Sequence, residues 1–495
     1  MKNKSILMLT LAMLVSGCSL IPEYERPVLP VADLFPAEDA RTSEGLRLVS
    51  WQQYFNDPRL NQLISAALEN NRDLRIAILN VEASRLTYGI SNANLYPEFG
   101  ASGSNTYSSS LNSGSTTRND YKASFGISNY ELDLFGRVRS LSEASFNNYL
   151  ATHEGRKAAQ ITLISSVAQL YVNERLATEQ LAVAKSTLKS NQSSFNLIKQ
   201  QVDAGIASDL DLKQAETQVL SGKVSVASFE RLSLQAHNAL VQIVGSNPSQ
   251  LARGIALHKQ NFGKEIIRTK GKSYTTDIIG AGLPSEVLLA RPDIMGAERT
   301  LMAANANIGA ARAAMFPRIG LTAALGWASP QLSSLMNNEN GGWNAGPALS
   351  VPIFAWGKYK GNVDLSKVNK DISVANYEKT IQKAFKEVSD ALVAKAPLAS
   401  QVRSQNQLVN AEQERLNLAQ LLYNNGIASY LDVLDAQRTL FVAKQNALNV
   451  KALELNNSIS LFSALGGGYD GPLESEKALQ DKSPILKATI NYDKK

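Results

Sequence analysis

The stretch Gly205-Ile206-Ala207-Ser208 recurs letter for letter as Gly426-Ile427-Ala428-Ser429, 221 positions further on. At the same offset Asn196 and Leu197 fall on Asn417 and Leu418, Leu210 and Asp211 on Leu431 and Asp432, Ala215 on Ala436, Leu240 on Leu461, and Gly245 on Gly466. Upstream, at an offset of 220, Asp73 matches Asp293, Ala77 Ala297, Gly89 Gly309, Pro97 Pro317 and Gly100 Gly320. One residue of slippage between the two blocks is what a short insertion leaves. A repeat of roughly 180 residues is far longer than the 20–50 residues of solenoid units, so each copy is expected to be a whole subdomain. The predicted layout is an extended N-terminal segment 18–59, a first repeat 60–250, a linker 251–283, a second repeat 284–470 and a polar tail 471–495.

The first 17 residues read as an export signal. Lys2 and Lys4 precede an apolar run from Ile6 to Val15, and small residues follow in Val15-Ser16-Gly17-Cys18. The run is too short to span a bilayer as a mature helix. The last four residues resemble a bacterial lipobox, in which cleavage leaves Cys18 first and its thiol carries lipid; an ordinary secretory signal with an incidental cysteine is the alternative. Cys18 is the only cysteine, so no intramolecular disulfide is possible. In lipoproteins of this type an Asp after the cysteine usually retains the protein at the inner membrane; Ser19 therefore points to the outer membrane. The net charge of +6 includes the two signal lysines and is too small over 495 residues to argue for nucleic acid. Beyond the signal no apolar run reaches transmembrane-helix length, so any membrane crossing must use strands.

Each half reads as a short helical lead-in, two strands and a long helical hairpin. Asp57-Pro58 supplies an N-cap and a proline at the first helical position, and Leu60, Leu63, Ile64, Ala67 and Leu68 follow at helical spacing. A strand pair is expected over about 98–134, where Tyr121, Ala123, Phe125 and Ile127 alternate with Lys122, Ser124 and Gly126 beyond a Ser/Gly/Asn tract at 108–119. A second pair is expected over about 318–354, with Ile319, Leu321, Ala323 and Leu325 in one strand and Trp343, Ala345, Pro347, Leu349 and Val351 in the other. Four strands cannot close a barrel that needs at least about eight, so closure demands several subunits.

The long helices are the largest elements. Residues 137–203 hold few breakers, and about 67 residues at ~1.5 Å each give a helix on the order of 100 Å, too long for a compact core. Gly205 and Gly426 suit the left-handed position after a helix C-terminus, followed by apolar Ile206 and Ile427. Ser208 and Ser429 then cap the next helices, with Asp211 and Asp432 as acidic partners three residues on. In the helix after the second turn, Ala436, Leu440, Ala443, Ala447 and Val450 form one apolar seam and Leu434, Phe441, Leu448 and Leu455 a second. Heptad spacing in both favours a left-handed supercoil with neighbours on two sides. Between the seams run two polar faces, one with Asp435, Arg438, Gln445, Asn449 and Asn456 and one with Lys444 and Lys451. This pattern fits a tube wall with one face to a lumen, and it also fits a bundle helix with two solvated stripes.

Several segments carry a family resemblance: Trp51 to Leu60, Ala67 to Arg75, Tyr130-Glu131-Leu132-Asp133-Leu134-Phe135-Gly136-Arg137, Arg291-Pro292-Asp293-Ile294, and Tyr430 to Arg438. Together they resemble the outer-membrane efflux protein family, the TolC-like channels, and the lipobox points to the lipoprotein branch similar to OprM-type drug efflux factors. The resemblance spans about 50–470. It implies a mixed α and transmembrane β fold in which a homotrimer builds a 12-stranded β-barrel continuous with a long periplasmic α-helical barrel. It also implies docking to a periplasmic adaptor protein and an inner-membrane efflux pump, with the helical-tip turns at Gly205, Ser208, Gly426 and Ser429 as the docking positions. In that family a gate closes the periplasmic end, and the matching positions are Tyr423, Leu431, Asp435 and Arg438. The repeat equivalents are Val202, Leu210, Gln214 and Thr217, so gate chemistry is expected in the second half only.

Other signals fail. Gly271-Lys272-Ser273 ends like a phosphate-binding loop, but Ile266 stands where its first glycine belongs. His153, His237 and His258 lie far apart, no metal or cofactor is implied, and no nucleophile-and-base spacing suggests an enzyme. The function expected is a passive exit duct for drugs or other small toxic molecules. The alternatives are a periplasmic adaptor, which has a single hairpin between small β-domains, and a structural coiled-coil lipoprotein, which the four alternating strands oppose.

Overall fold

The computed structural model describes residues 19–33, 35, 50–109, 117–246, 254–262, 264–269, 272–277 and 285–467. The signal 1–17, Cys18 and the tail 471–495 lie outside the described residues. The helices are α1 (Trp51–Tyr54), α2 (Pro58–Asn70), α3 (Arg72–Ala93), α4 (Arg137–Asp203), α5 (Asp209–Val244), α6 (Pro292–Ala313), α7 (Lys358–Asn424) and α8 (Tyr430–Ala464). The strands are β1 (Phe99–Ser108), β2 (Arg118–Leu132), β3 (Lys264–Thr269), β4 (Lys272–Asp277), β5 (Arg318–Ser329) and β6 (Gly341–Ser350). The duplication is visible in length as well as letters: α4 and α7 both have 67 residues. No described helix is long and apolar enough to cross a membrane.

The two strand pairs merge into one four-stranded antiparallel sheet, ordered β1-β2-β5-β6. The two halves are thus joined by β2 pairing with β5, and β1 and β6 are its outer strands. Register puts Phe125 opposite Leu325 and Leu325 opposite Trp343, all exposed, so one face carries large apolar side chains. The opposite face is small and polar, with Ser102 paired to Ser124, Ser124 to Gly326 and Gly326 to Gly342. A bulge lies between Ile127 and Tyr130 of β2, where Asn129 adopts φ 55° and its N–H donates to Thr322 Oγ1 at 3.3 Å. The extra residue shifts the phase by one, so Tyr130 and Leu132 share the face of Ile127.

The chain divides into two compact units, and these are not the two repeats. One gathers residues up to 28, 79–154 and 295–380; the other gathers 29–78, 155–294 and 381 onward. Each unit draws on both copies, because neither copy can satisfy its strand edges or bury its helical seams by itself. The expectation of one subdomain per copy is corrected accordingly.

In the first unit, residues 19–26 run as a strap along α6. Asn305 Nδ2 donates to the Pro22 carbonyl at 2.7 Å, Arg312 Nη1 to the Leu20 carbonyl at 3.3 Å, and Arg26 holds the Glu298 carboxylate through two N–H groups at 2.6 and 2.9 Å. Gly309 makes the approach possible: a Cβ there would stand 2.5 Å from Ile21 Cγ1 and 2.9 Å from Ile21 N.

The second unit has the main apolar core, with Phe55, Leu60, Leu63 and Ile64 against Val167, Ala168 and Tyr171 of α4 and Ile459 and Phe462 of α8. Asp57 caps α2 by accepting from Arg59 N at 2.9 Å, and it is nearly fully buried. Its other oxygen accepts from Tyr171 Oη at 2.6 Å, Gln260 Nε2 at 2.9 Å and Ile255 N at 3.0 Å, so one carboxylate ties three distant segments together. Burial, and then the hydrogen bond to Asp57, push the Tyr171 hydroxyl up. Within the stretch expected to be a linker, β3 and β4 form an antiparallel hairpin, and Lys272 and Ser273 open a strand where a phosphate loop would lead into a helix.

Candidate functional site

The two helical hairpins end in matching turns. Gly205 and Gly426 adopt φ 73° and 72°. At the first, Ile206 N donates to the Gln201 carbonyl (2.7 Å) and Gly205 N to that of Val202 (2.9 Å); at the second, Ile427 N donates to Leu422 and Gly426 N to Tyr423, both at 2.9 Å. This double closure satisfies the last carbonyls of each helix, and glycine alone reaches the positive φ without strain. Ser208 N and Ser429 N then donate to Asp211 Oδ2 (3.3 Å) and Asp432 Oδ2 (3.1 Å), fixing the start of α5 and α8. Ile206 and Ile427 are held out in solvent.

Just past the second turn the residues matched to the gate converge in part. A groove between α5 and α8 is lined by Gln214, Thr217 and Gln218 on one side and Leu431, Leu434, Asp435 and Arg438 on the other. Gln214 and Thr217 are the repeat equivalents of Asp435 and Arg438, so the hairpins bring duplicated positions face to face with the charge on one side only. Arg438 Nη2 donates to Asp435 Oδ1 at 2.9 Å, and Leu431 is 61% exposed. Tyr423 stands apart from the ion pair. Its hydroxyl donates to Gln201 Oε1 at 2.7 Å and its ring packs on Tyr430 at 5.5 Å, over the cluster of Ile198, Leu416, Val433 and Leu434. Burial pushes the Tyr430 hydroxyl up to about 12.

A second arginine belongs to the site. Arg415 of α7 donates through Nη2 to Asp435 Oδ2 and through Nη1 to Glu412 Oε2 (3.3 Å) and Thr439 Oγ1 (3.2 Å), while Thr439 donates to Glu412 at 2.7 Å. The carboxylate is therefore gripped on both oxygens by guanidinium groups of two helices. Arg438, and then Arg415, hold the Asp435 carboxyl below the usual carboxylate range. Side-chain exposures of 37% for Asp435, 68% for Arg438 and 48% for Arg415 leave the pairs open to water, so in one chain they are weak and screened. Arg415 and Asp435 lie ten residues either side of Asn425, which is the counting signal that could have paired them across the turn.

The seams behave as helical spacing predicts. Ala436, Leu440, Ala443 and Val450 are buried in one, Leu434 and Leu455 in the other. The polar stripe is less uniform: Gln445 is buried and donates to the Gln180 carbonyl (3.2 Å), and Asn449 accepts from Gln180 Nε2 (2.9 Å). Gln445 is thus committed to α4, whereas Asn449 keeps an exposed surface beside its bond to α4. Among the described residues no cluster of His, Cys, Asp and Glu has a metal-binding arrangement.

The model of the family described as outer membrane efflux protein matches residues 63–246 and 283–467. The toluene efflux pump outer membrane protein TtgC of Pseudomonas putida is 41% identical over 486 residues, covering 94% of this chain and 96% of the relative. The cation efflux system protein CusC of Escherichia coli K12 is 40% identical over 462 residues, covering 92% and 98%. Among solved structures, the open state of the Neisseria gonorrhoeae MtrE outer membrane channel superposes with a TM-score of 0.81 at 37% identity, covering 91% of this chain and 98% of that one. The chain belongs to the outer membrane efflux protein family.

Proposed function

We propose that three copies of this chain close a 12-stranded barrel in the outer membrane and form the passive exit duct of a tripartite efflux pump. The observation that carries this is the sheet: four strands with an apolar face and two unpaired outer strands, β1 and β6. A lipid-exposed sheet edge is not viable, and four strands are too few to close alone. Edge-to-edge joining of copies removes every edge at once.

The helical turns at Gly205, Ser208, Gly426 and Ser429, with Ile206 and Ile427 exposed beside them, are the adaptor-docking surface, and an inner-membrane pump supplies the energy. Tyr423, Leu431, Asp435 and Arg438 form the periplasmic gate, with Arg415 completing the grip on the carboxylate. A ring of such sites, one per copy, concentrates charge that in one chain is screened. Cys18 carries the lipid anchor, and the strap from Ser19 to Arg26 that follows it lies along α6. Cargo is small molecules, and the pump selects them: relatives equally similar to this chain are named for toluene and for cations. No reaction is catalysed. The test is complementation. In cells that keep a cognate pump and adaptor but lack their channel, the chain restores dye export; failure at normal outer-membrane levels would remove the proposal.

A further inference from the structure

The duplication supplies a template for how one copy meets the next. At the corner where β2 turns into α4, Phe135 stacks on Phe316 with ring centroids 4.7 Å apart and planes 17° from parallel. Phe316 lies just ahead of β5, the strand that pairs with β2, and Gly136 at φ 73° opens the helix after Phe135. The corner's positions recur where β6 leads to α7: 221 positions on from Phe135 and Gly136 stand Trp356 and Gly357, the latter at φ 82°, with Trp356 itself at φ 49° where Phe135 keeps a negative φ. The residue 220 positions before Phe316 is Tyr96, just ahead of β1. Here the second pair departs from the first. Trp356 is 101% exposed and Tyr96 is 67% exposed, although their equivalents are stacked on each other. They cannot meet within one chain, because β6 and β1 are the opposite outer strands of the sheet.

We infer that Trp356 of one copy stacks on Tyr96 of the next, as Phe135 stacks on Phe316, and that β6 pairs antiparallel with the next copy's β1 in the register set by β2 and β5. Leu132 faces Ile319 and Tyr130 faces Leu321 in that template. Carried through the two offsets, Ile353 faces Phe99 and Val351 faces Ala101 of the next copy. The face rule supports this register. Trp343 and Leu349 are odd-numbered on β6, whose pairing with β5 has no register shift, and Val351 and Ile353 continue that numbering just past its end. Phe99 and Ala101 are odd-numbered on β1, so the apolar face continues across the joint if β6 is extended there by pairing. Val351, Ile353 and Phe99 are exposed in the single chain, as the joint requires. The contact is head to tail and closes only as a ring. An aromatic pair of this geometry adds directional preference to the strand pairing, which by itself could slip.

The inference rests on the three-copy reading, and the experiment separates the two. Full-length Tyr96→Cys/Trp356→Cys, treated in membranes with a short thiol cross-linker, gives a reducible ladder of dimers and trimers on a denaturing gel. Each single variant gives monomer, and Phe135→Cys/Phe316→Cys gives monomer because its link closes within one chain. Phe99→Cys/Ile353→Cys gives the same ladder and tests the register should the first variant assemble poorly. Absence of both ladders while an amine cross-linker still captures trimers overturns the stack and the register and leaves the trimer standing. Monomer alone with the amine reagent overturns the three-copy reading and the inference with it.

Discussion

Gly89 and Gly309 occupy equivalent places in the two repeats, and the same substitution should act oppositely at them. Each lies inside a helix, so Ala in place of Gly gains about 0.5–1 kcal/mol of helix propensity at either site. At Gly89 the added Cβ meets nothing within 4 Å, and Gly89→Ala should be neutral or stabilising by that amount. At Gly309 it would stand 2.5 Å from Ile21 Cγ1, 2.8 Å from Ser140 Oγ and 2.9 Å from Ile21 N. A side-chain rotation cannot relieve the last contact, so the strap itself must lift between its bonds at Leu20 and Pro22. Overpacking of this kind costs about 1–3 kcal/mol, which leaves Gly309→Ala destabilising by roughly 1 kcal/mol after the helix gain. The helix gain is the same whether the strap is closed or lifted, so if the overpacking falls on the strap its full cost of about 1–3 kcal/mol makes local opening at least about fivefold more frequent. Amide hydrogen exchange over residues 19–26 reads this directly, supported by cleavage after Glu23 and Glu25. Unchanged exchange in Gly309→Ala, or equal acceleration in Gly89→Ala, would refute the reasoning.

Other outcomes follow from the tips, the gate and the anchor. Gly426→Val should sharply reduce efflux at matched protein levels, because a β-branched residue at φ 72° costs more than the ~1–2 kcal/mol of an ordinary side chain, whereas Gly89→Val should remain close to wild type in the same assay. The Asp435 carboxyl is held below its ordinary value, so in the proposed gate its contribution to closure is complete above the ordinary carboxylate pKa and is lost as pH falls through the lowered one. Resting conductance should therefore stay flat from about pH 7 to about 5 and rise only below about pH 4, and a rise centred near neutrality would place the control elsewhere. Cys18→Ala should abolish lipid attachment, read by mass spectrometry, and leave trimers intact by cross-linking; loss of trimer in exported protein would make the anchor part of assembly.

What could be read from the letters was local. Gly205 and Gly426 declare their turns because each sits between an apolar helix end and a Ser-x-x-Asp cap, and Asp57-Pro58 declares a helix start because an N-cap residue precedes a proline at the first helical position. The alternation of β2 stops being legible at Ile127 because the bulge at Asn129 moves the apolar face from odd to even positions. Long-range pairing left no mark: nothing in β2 or β5 says that they adjoin, and that pairing is why the compact units cut across the repeats. The proposed gate was visible on one helix only. Leu431, Asp435 and Arg438 share a face by spacing, but Arg415 belongs to the preceding helix and enters through the fold of the hairpin. Tyr171, Ile255 and Gln260 converge on Asp57 from segments with no common pattern. The strap of 19–26 read merely as extended, since its partners Glu298, Asn305 and Arg312 lie on a helix almost 300 residues away.

The central claim is that copies of this chain enclose one conducting path that is shut at the helical tips. Single-channel recording of the purified protein in planar bilayers tests it most directly, comparing wild type with Arg415→Ser/Arg438→Ser. The account predicts a small, cation-selective resting conductance for wild type, and a larger one for the variant, in which the Asp435 carboxylates lose both partners and repel. No conductance from either protein in correctly assembled form would contradict the duct, and equal conductance with equal reversal potential would place Asp435 and both arginines on the outer wall.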